Sequence, residues 1–133
     1  MACELCDTPG GELIWQDEFC RVVRIDDVDY PGFCRVVWEA HVKEMTVLED
    51  EDREHLMDVV FAVESVLREQ LDPLKVNLAS LGNHVPHLHW HVVARFADDP
   101  HFPNPIWGKA VRGEPNREVD VAALKRAVIA ALD

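Results

Sequence analysis

The stretch that decides the fold reads His87-Leu88-His89-Trp90-His91-Val92-Val93 and holds three of the seven histidines of this 133-residue chain. Because side chains alternate between the two faces of a strand, the pattern predicts a β-strand that turns Leu88, Trp90 and Val92 toward the core. The three imidazoles then share the opposite face. Solvated faces of antiparallel strands usually carry Lys, Glu or Thr, so a row of histidines indicates chemistry rather than a polar outer surface.

The spacing of these histidines limits what they can do together. Residues two apart along a strand are separated by roughly 6.6 Å and the outer pair by about 13 Å, whereas zinc lies about 2 Å from each ligand. One metal ion can therefore bind two neighbouring histidines but not all three. The other use is nucleophilic, because a neutral imidazole attacks well near pH 7 and its neighbours can orient it or protonate a leaving group. Such a row suits attack on phosphorus.

The rest of the chain predicts further strands and two helices. Short β-rich runs bounded by turn signals predict strands at 12–16, 19–25, 33–38 and 74–81, with the histidine strand at 87–96. Apolar residues at three- and four-residue intervals predict a helix over 50–71. A short amphipathic helix is predicted from 121 to 132, with Asp120 as its cap. Strands outnumber helices in an α+β order.

The chain has no repeat, no low-complexity tract and no Gly/Ser-rich linker, so residues 1–133 are expected to form one domain. The Pro-rich segment 98–115 is expected to be an ordered loop. It carries Trp107, which could stack on a base, cap a dimer or simply pack, and packing is the interpretation we prefer. His55 and His101 are expected to be solvated.

Composition and charge exclude several classes of function. The 25 acidic and 13 basic side chains give a net charge of −12, which repels nucleic-acid backbones and anionic lipid. A small anionic ligand stays compatible with that charge, because a few local donors can hold a phosphate. No apolar run approaches the roughly 20 residues of a membrane span, and the start of the chain lacks the regions of a signal peptide. We therefore expect a cytoplasmic protein with reduced cysteines and no membrane partner.

The histidine stretch resembles the signature of the histidine triad (HIT) proteins, His-φ-His-φ-His-φ-φ with φ apolar, and matches it at every position. Residues 30–42 are similar to the family's Pro-Gly, strand and Lys-x-His-φ segment. The resemblance covers roughly residues 3–96. It implies a homodimeric α+β fold with a five-stranded antiparallel sheet and two helices per subunit, and hydrolysis or transfer of nucleoside monophosphates.

The resemblance also implies roles for single residues. His89 would attack the α-phosphorus and form a nucleotidyl-histidine intermediate, His91 would contact the phosphate and help the leaving group depart, and His87 would orient the pair. Transferases of the family's sugar-phosphate branch have Gln at the third position, so His91 favours hydrolysis. Asn83 falls where the family has a Gln that holds the phosphate. Asp26 falls near the family's ribose-contacting acid.

An N-terminal pair, Cys3-x-x-Cys6, is a candidate metal or redox motif, although one such pair supplies only two of the four ligands of zinc. Some family members complete the set with two histidines, which correspond here to His41 and His87. The resemblance thus implies a structural zinc site and no organic cofactor. The alternative is a cysteine pair without a function. Cys20 and the remaining cysteine, at position 34, are expected to be small core residues.

Three hypotheses for function compete at this point. The first is an enzyme that cleaves nucleotide P–N or P–O–P bonds through His89, with a nucleotide as its small-molecule partner and a second copy of the chain as its macromolecular one. The second is a metal-dependent enzyme or metal-binding module that uses His87 and His89, or His89 and His91, as a chelating pair. The third is a nucleotide sensor that binds without turnover.

Overall fold

Five strands form one antiparallel sheet in the order β1-β2-β3-β5-β4 in a computed structural model, which describes residues 2–113 and 117–133. The strands are β1 (Glu12–Gln16), β2 (Cys20–Arg24), β3 (Cys34–Trp38), β4 (Lys75–Ala79) and β5 (His89–Arg95). The helices are α1 (Glu4–Asp7), α2 (Asp50–Leu71) and α3 (Val121–Leu132), with a 3-10 turn at Met45–Val47. The predicted α+β class, with a five-stranded antiparallel sheet and two main helices, is confirmed.

The long helix α2 and the C-terminal helix α3 cover one face of the sheet. Apolar side chains of α2, among them Leu56, Val60 and Val63, are buried against the even-numbered residues of the strands, and each such burial contributes about 1.5–3 kcal/mol. The three acids in the first turn of α2 suit the positive end of the helix dipole. Asp120 caps α3 by accepting a hydrogen bond from the Ala123 amide, as predicted. None of the helices described is long and apolar enough to cross a membrane.

The histidine strand is shorter than predicted, because β5 begins at His89 and not at His87. The amide of His87 donates to the carbonyl of Val85 at 2.8 Å, and this tight turn takes residue 87 out of the regular ladder. Leu88 still donates to the carbonyl of Val42 and accepts from the amide of Trp38, so the chain joins the sheet immediately afterwards.

The segment after β5 is an ordered loop, as expected, although residues 114 and 115 of the predicted range lie outside the described residues. Its anchor is Asp99, a buried carboxylate that accepts from the guanidinium of Arg95 at 2.8 and 3.1 Å. Asp99 also accepts from the amides of His101 and Phe102. These bonds hold the loop against the end of β5 and bring Trp107 to the histidine strand.

The N-terminal segment with α1 crosses the sheet face opposite α2 and α3. Leu5 packs there on Val23 and Val37. The buried guanidinium of Arg21 donates to the carbonyls of Leu5 and Thr8 at 2.6 and 3.1 Å. A charged side chain from the middle of the sheet thereby fixes the position of the chain terminus.

Candidate active site and metal centre

The three histidines of the signature are all buried, with exposed fractions of 1% for His87, 6% for His89 and 4% for His91. This rules out a solvated outer face. The rings of His89 and His91 are 4.9 Å apart and nearly perpendicular, so these two imidazoles form a contacting pair. His87 turns away from them, as its contacts with the cysteines described below show.

One hydrogen bond sets the chemical state of His89. Its Nδ1 lies 2.5 Å from the carbonyl oxygen of His87. A carbonyl can only accept, so Nδ1 carries the proton and Nε2 of a neutral ring keeps its lone pair. Burial lowers the pKa of His89, which favours this neutral form. The arrangement prepares Nε2 for nucleophilic attack.

His91 is held neutral by its surroundings. Its pKa is lowered to about 3, first by desolvation and then by the nearby His89 and Arg35. The aromatic rings of Phe33 and Trp107 lie 5.7 and 4.8 Å from its ring. Within the described part of the chain, Nδ1 of His91 is buried and has no hydrogen-bond partner. The side chain therefore has an unused polar atom beside His89.

A cavity of about 280 Å³ opens above these two histidines, close to the lower end of the range for small-molecule sites, about 300 Å³. Its walls come from α1, β3, β5, the loop before β5 and the loop after it. The lining residues are Glu4, Leu5, Arg35, Leu81, Gly82, Asn83, His84, Val85, His89, His91 and Trp107.

The two predicted substrate-binding residues lie in different places. Asn83 lines the cavity with His89 and His91. Asp26 follows the end of β2, its side chain is 95% exposed, and its carboxylate lies 3.8 Å from Arg24. Asp26 is not among the residues that line the cavity. Both assignments stay predictions, and only that of Asn83 places the residue beside the histidines.

Trp107 is more accessible than the preferred packing interpretation implies. Its side chain is 48% exposed, and the edge of its ring contacts His91 at the cavity wall. About half of the surface of Trp107 is thus accessible to solvent at the cavity wall, which favours the base-stacking alternative.

Two other histidines differ from the expectation of solvated side chains. Nε2 of His55 lies 2.7 Å from a carboxylate oxygen of Asp17, next to the buried Cys20. Nδ1 of His101 lies 2.7 Å from the hydroxyl of Tyr30. Both side chains have tertiary partners from distant segments, which the local sequence does not show. Cys20 and Cys34 are fully buried, as expected.

Cys3, Cys6, His41 and His87 form a compact cluster whose ligand atoms all lie within 4.8 Å of one another. The Nδ1 atom of His87 lies 3.4 Å from Sγ of Cys3 and 3.5 Å from Sγ of Cys6. The Nδ1 atoms of His41 and His87 are 3.3 Å apart. A tetrahedron with bonds of 2.0 to 2.3 Å has edges of about 3.3 to 3.8 Å. The three contacts of His87 therefore match the separations of ligands around one zinc ion.

The other ring nitrogen of His87 supports the same use. Nε2 donates to the carbonyl of Trp38 at 2.5 Å, which leaves the lone pair of Nδ1 directed at the thiols. Metal-bound histidines commonly donate their second N–H to a carbonyl in this way, which fixes the ring. The side chain of His87 thus belongs to the cluster with Cys3, Cys6 and His41, whereas its backbone carbonyl orients His89.

Arg35 is the cavity residue that the sequence analysis missed. It lies on β3 directly opposite His91 in the strand register. The signal was a single charged residue within an apolar strand run, Cys34-Arg35-Val36-Val37. Alternation along β3 shows on which side of the strand Arg35 lies. The pairing of β3 with β5 is needed to show that His91 lies on the same side.

Comparison with known proteins adds the family context. A family model described as the HIT domain matches residues 10–98. A histidine triad (HIT) protein from Sinorhizobium meliloti is 27% identical, with a TM-score of 0.77 and coverage of 98% of this chain and 96% of that one. A histidine triad protein from Marinobacter aquaeolei is 26% identical, with a TM-score of 0.77 and coverage of 99% and 95%.

A third solved structure is a zinc-bound histidine triad family protein from Mycobacterium smegmatis. It is 22% identical, has a TM-score of 0.64, and the match covers 99% of this chain and 94% of that one. At this identity the likeness shows a shared fold. No curated protein sequence gives a significant match.

Proposed function

This chain belongs to the HIT domain family, and we propose that it is a nucleotide hydrolase. It releases a nucleoside monophosphate from a phosphoramidate, a dinucleoside polyphosphate or an adenylated metabolite. The observation that carries this proposal is the bond from Nδ1 of His89 to the His87 carbonyl, because it leaves a neutral Nε2 free beside a cavity. Cytosolic location and reduced thiols form part of the same proposal.

The reaction proceeds in two displacements at the α-phosphorus. Nε2 of His89 attacks, a P–N bond forms between ring and phosphate, and the bond from phosphorus to the leaving group breaks. Water then attacks the same phosphorus, the P–N bond breaks, and its electron pair returns to His89. Water supplies a proton to the product phosphate or to solvent in this second step.

His91 assists the departure of the leaving group. In the empty cavity it is neutral, because burial holds its pKa at about 3. A phosphate anion beside it favours its charged form and raises that pKa. With substrate bound, His91 takes up a proton from solvent and donates it to the departing nitrogen or oxygen, which returns His91 to its neutral form.

We propose that the four-residue cluster holds one structural zinc ion through Cys3, Cys6, His41 and His87. Two thiolates and two imidazoles are a ligand set that zinc favours in closed tetrahedral sites. The zinc-bound relative from Mycobacterium smegmatis supports zinc on this fold. When bound, the ion would cross-link the N-terminal segment to the strands and supply stability.

The competing chelating-pair hypothesis loses support from the same geometry. Among the described residues, the clusters of three or more candidate metal ligands include His87 but neither His89 nor His91. The nucleophile is thus separate from the cluster. The sensor hypothesis differs from the hydrolase only in the absence of turnover.

Incubation with adenosine 5′-phosphoramidate, followed by measurement of released AMP, tests the proposed function. We expect release by the wild type and a loss of at least about 1000-fold in His89→Gln, since His89 supplies the attacking atom. His55→Gln is the matched control, because His55 lies outside the cavity, beside Asp17, and it should keep the wild-type rate. Binding of AMP without any turnover of phosphoramidates or dinucleoside polyphosphates would favour the sensor. Equal rates for wild type and His89→Gln would contradict the mechanism.

A further inference from the structure

We propose that Arg35 binds the phosphate group on which His89 acts, through hydrogen bonds from its guanidinium to the non-bridging oxygens. This inference rests on the proposed function and names the phosphate contact of that site.

The position of Arg35 follows from the sheet. Arg35 and Val37 point to the face opposite α2 and α3, and in the register they stand opposite His91 and His89 of β5. The cavity is lined by Arg35 together with both histidines. The guanidinium is thus a fixed positive charge in the wall of the site, carried by a central strand.

The hydrogen bonds of Arg35 are incomplete. Its Nε is buried and has no partner among the described residues, and its Nη1 makes a long contact of 3.3 Å with the carbonyl of Gly10. The two buried arginines, Arg21 and Arg95, are each bound by a carboxylate and by backbone carbonyls. A buried donor on a partly buried cation is costly to leave unpaired, and a ligand that accepts from it removes that cost.

Phosphate is the ligand chemistry that fits these donors. A guanidinium presents its N–H groups in a planar fork that matches two oxygens of a phosphate. The chain as a whole carries a net charge of −12, so a phosphate needs a local cation to stay bound. Of the described residues that line the cavity, Glu4 is the one acid, and it is exposed to solvent, which screens its charge.

The test compares the affinities of AMP and adenosine for four proteins by calorimetric titration: wild type, Arg35→Gln, Arg35→Lys and Arg24→Gln. The two compounds differ only in the phosphate group. We expect Arg35→Gln to bind AMP about 10- to 100-fold more weakly, as for the loss of charge-assisted hydrogen bonds, and to bind adenosine like the wild type. Arg35→Lys should lose less affinity for AMP, because lysine keeps the positive charge but lacks the planar guanidinium that bonds two phosphate oxygens.

Arg24→Gln is the matched control, because it removes the same charge from the neighbouring strand at a residue paired with Glu12, outside the cavity. It should leave both affinities unchanged. Equal AMP affinity in Arg35→Gln and wild type would overturn the inference while leaving the hydrolase intact. Equal losses for AMP and adenosine would assign Arg35 a structural role and overturn it too. If the wild type binds neither compound, the proposed function fails and this inference fails with it.

Discussion

At the scale of single residues, His91 shows how burial decides the chemistry of the site. An exposed histidine has a pKa near 6.5, whereas desolvation lowers that of His91 to about 3. Between these two values the unfolded chain binds a proton at this residue and the folded chain does not. Protonation of the unfolded chain at His91 therefore lowers the free energy of unfolding as the pH falls from about 6.5 toward 3. Above about pH 6.5 this loss is absent, because the residue is neutral in both states.

Replacement of His91 should make the free energy of unfolding depend less strongly on pH at acid pH. One proton of difference corresponds to about 1.4 kcal/mol per pH unit, so His91→Gln should lose less stability than the wild type between about pH 6 and pH 4. Urea unfolding across this range measures the slope, and values near pH 8, where histidine is neutral in both states, provide the baseline. Identical slopes for the two proteins would show that His91 is not held neutral by the fold.

Period-two alternation placed His89 and His91 correctly on one face of the strand, whereas the roles predicted for them came from the family resemblance. Alternation could not show that the side chain of His87 leaves that row, because the turn at Val85 and the distant cysteines decide this. Alternation likewise could not show that Arg35 lies beside His91, because the pairing of β3 with β5 sets the distance between them.

At the scale of elements, the candidate zinc cluster joins segments that are far apart along the chain. Its ligands come from the start of α1, from α1 itself, from the residues after β3 and from the turn before β5. A four-residue helix does not persist by itself, so α1 depends on such tertiary contacts. A metal ion there would hold α1 over the cavity, where Glu4 and Leu5 form part of the wall.

Removal of zinc should destabilise the protein without abolishing catalysis. We expect chelation to lower the melting temperature by at least about 5 °C, equivalent to roughly 1 kcal/mol in a domain of this size, with residual activity retained. Cys3→Ser and Cys6→Ser should melt at the same lower temperature. As an internal control, the chelator should not lower the melting temperature of these variants further. Protein purified without chelator that contains no zinc, or serine variants that melt like the wild type, would contradict the site.

The long helix and the strands were predictable because their patterns are long or regular. The helix over 50–71 was predicted with both ends correct, since apolar periodicity and an acidic first turn agree. The helix at α1 was not predicted, because four residues show no periodicity and the buried guanidinium of Arg21 stabilises the segment from another strand.

At the scale of the whole molecule, β1 and β4 form the two edges of the sheet. Leu74 precedes β4 and is exposed, and Leu81 follows it and is exposed as well. An edge strand flanked by exposed apolar side chains is suited to pairing with another copy of the chain. The family resemblance likewise implies a homodimer.

We expect sedimentation at micromolar concentration to give a species of twice the 15.1 kDa mass of one chain. Leu74→Glu should shift the equilibrium toward the monomer, because it places a charge beside the β4 edge. Val28→Glu, at an exposed apolar residue of the loop between β2 and β3, is the control and should remain dimeric. A wild type that sediments only as a single chain would refute the dimer.

The central claim is that His89 carries the nucleotide between the two displacements. The direct measurement is a rapid quench, at high pH in denaturant, of wild type mixed with a substrate that has labelled α-phosphorus, since the phosphorus–nitrogen bond of such an intermediate is stable to alkali. We predict that label appears on the protein within the first turnover, that a peptide containing His89 carries it, and that His89→Gln acquires none. A wild type that turns over with no labelled protein at any quench time, or label retained by His89→Gln, would contradict the account.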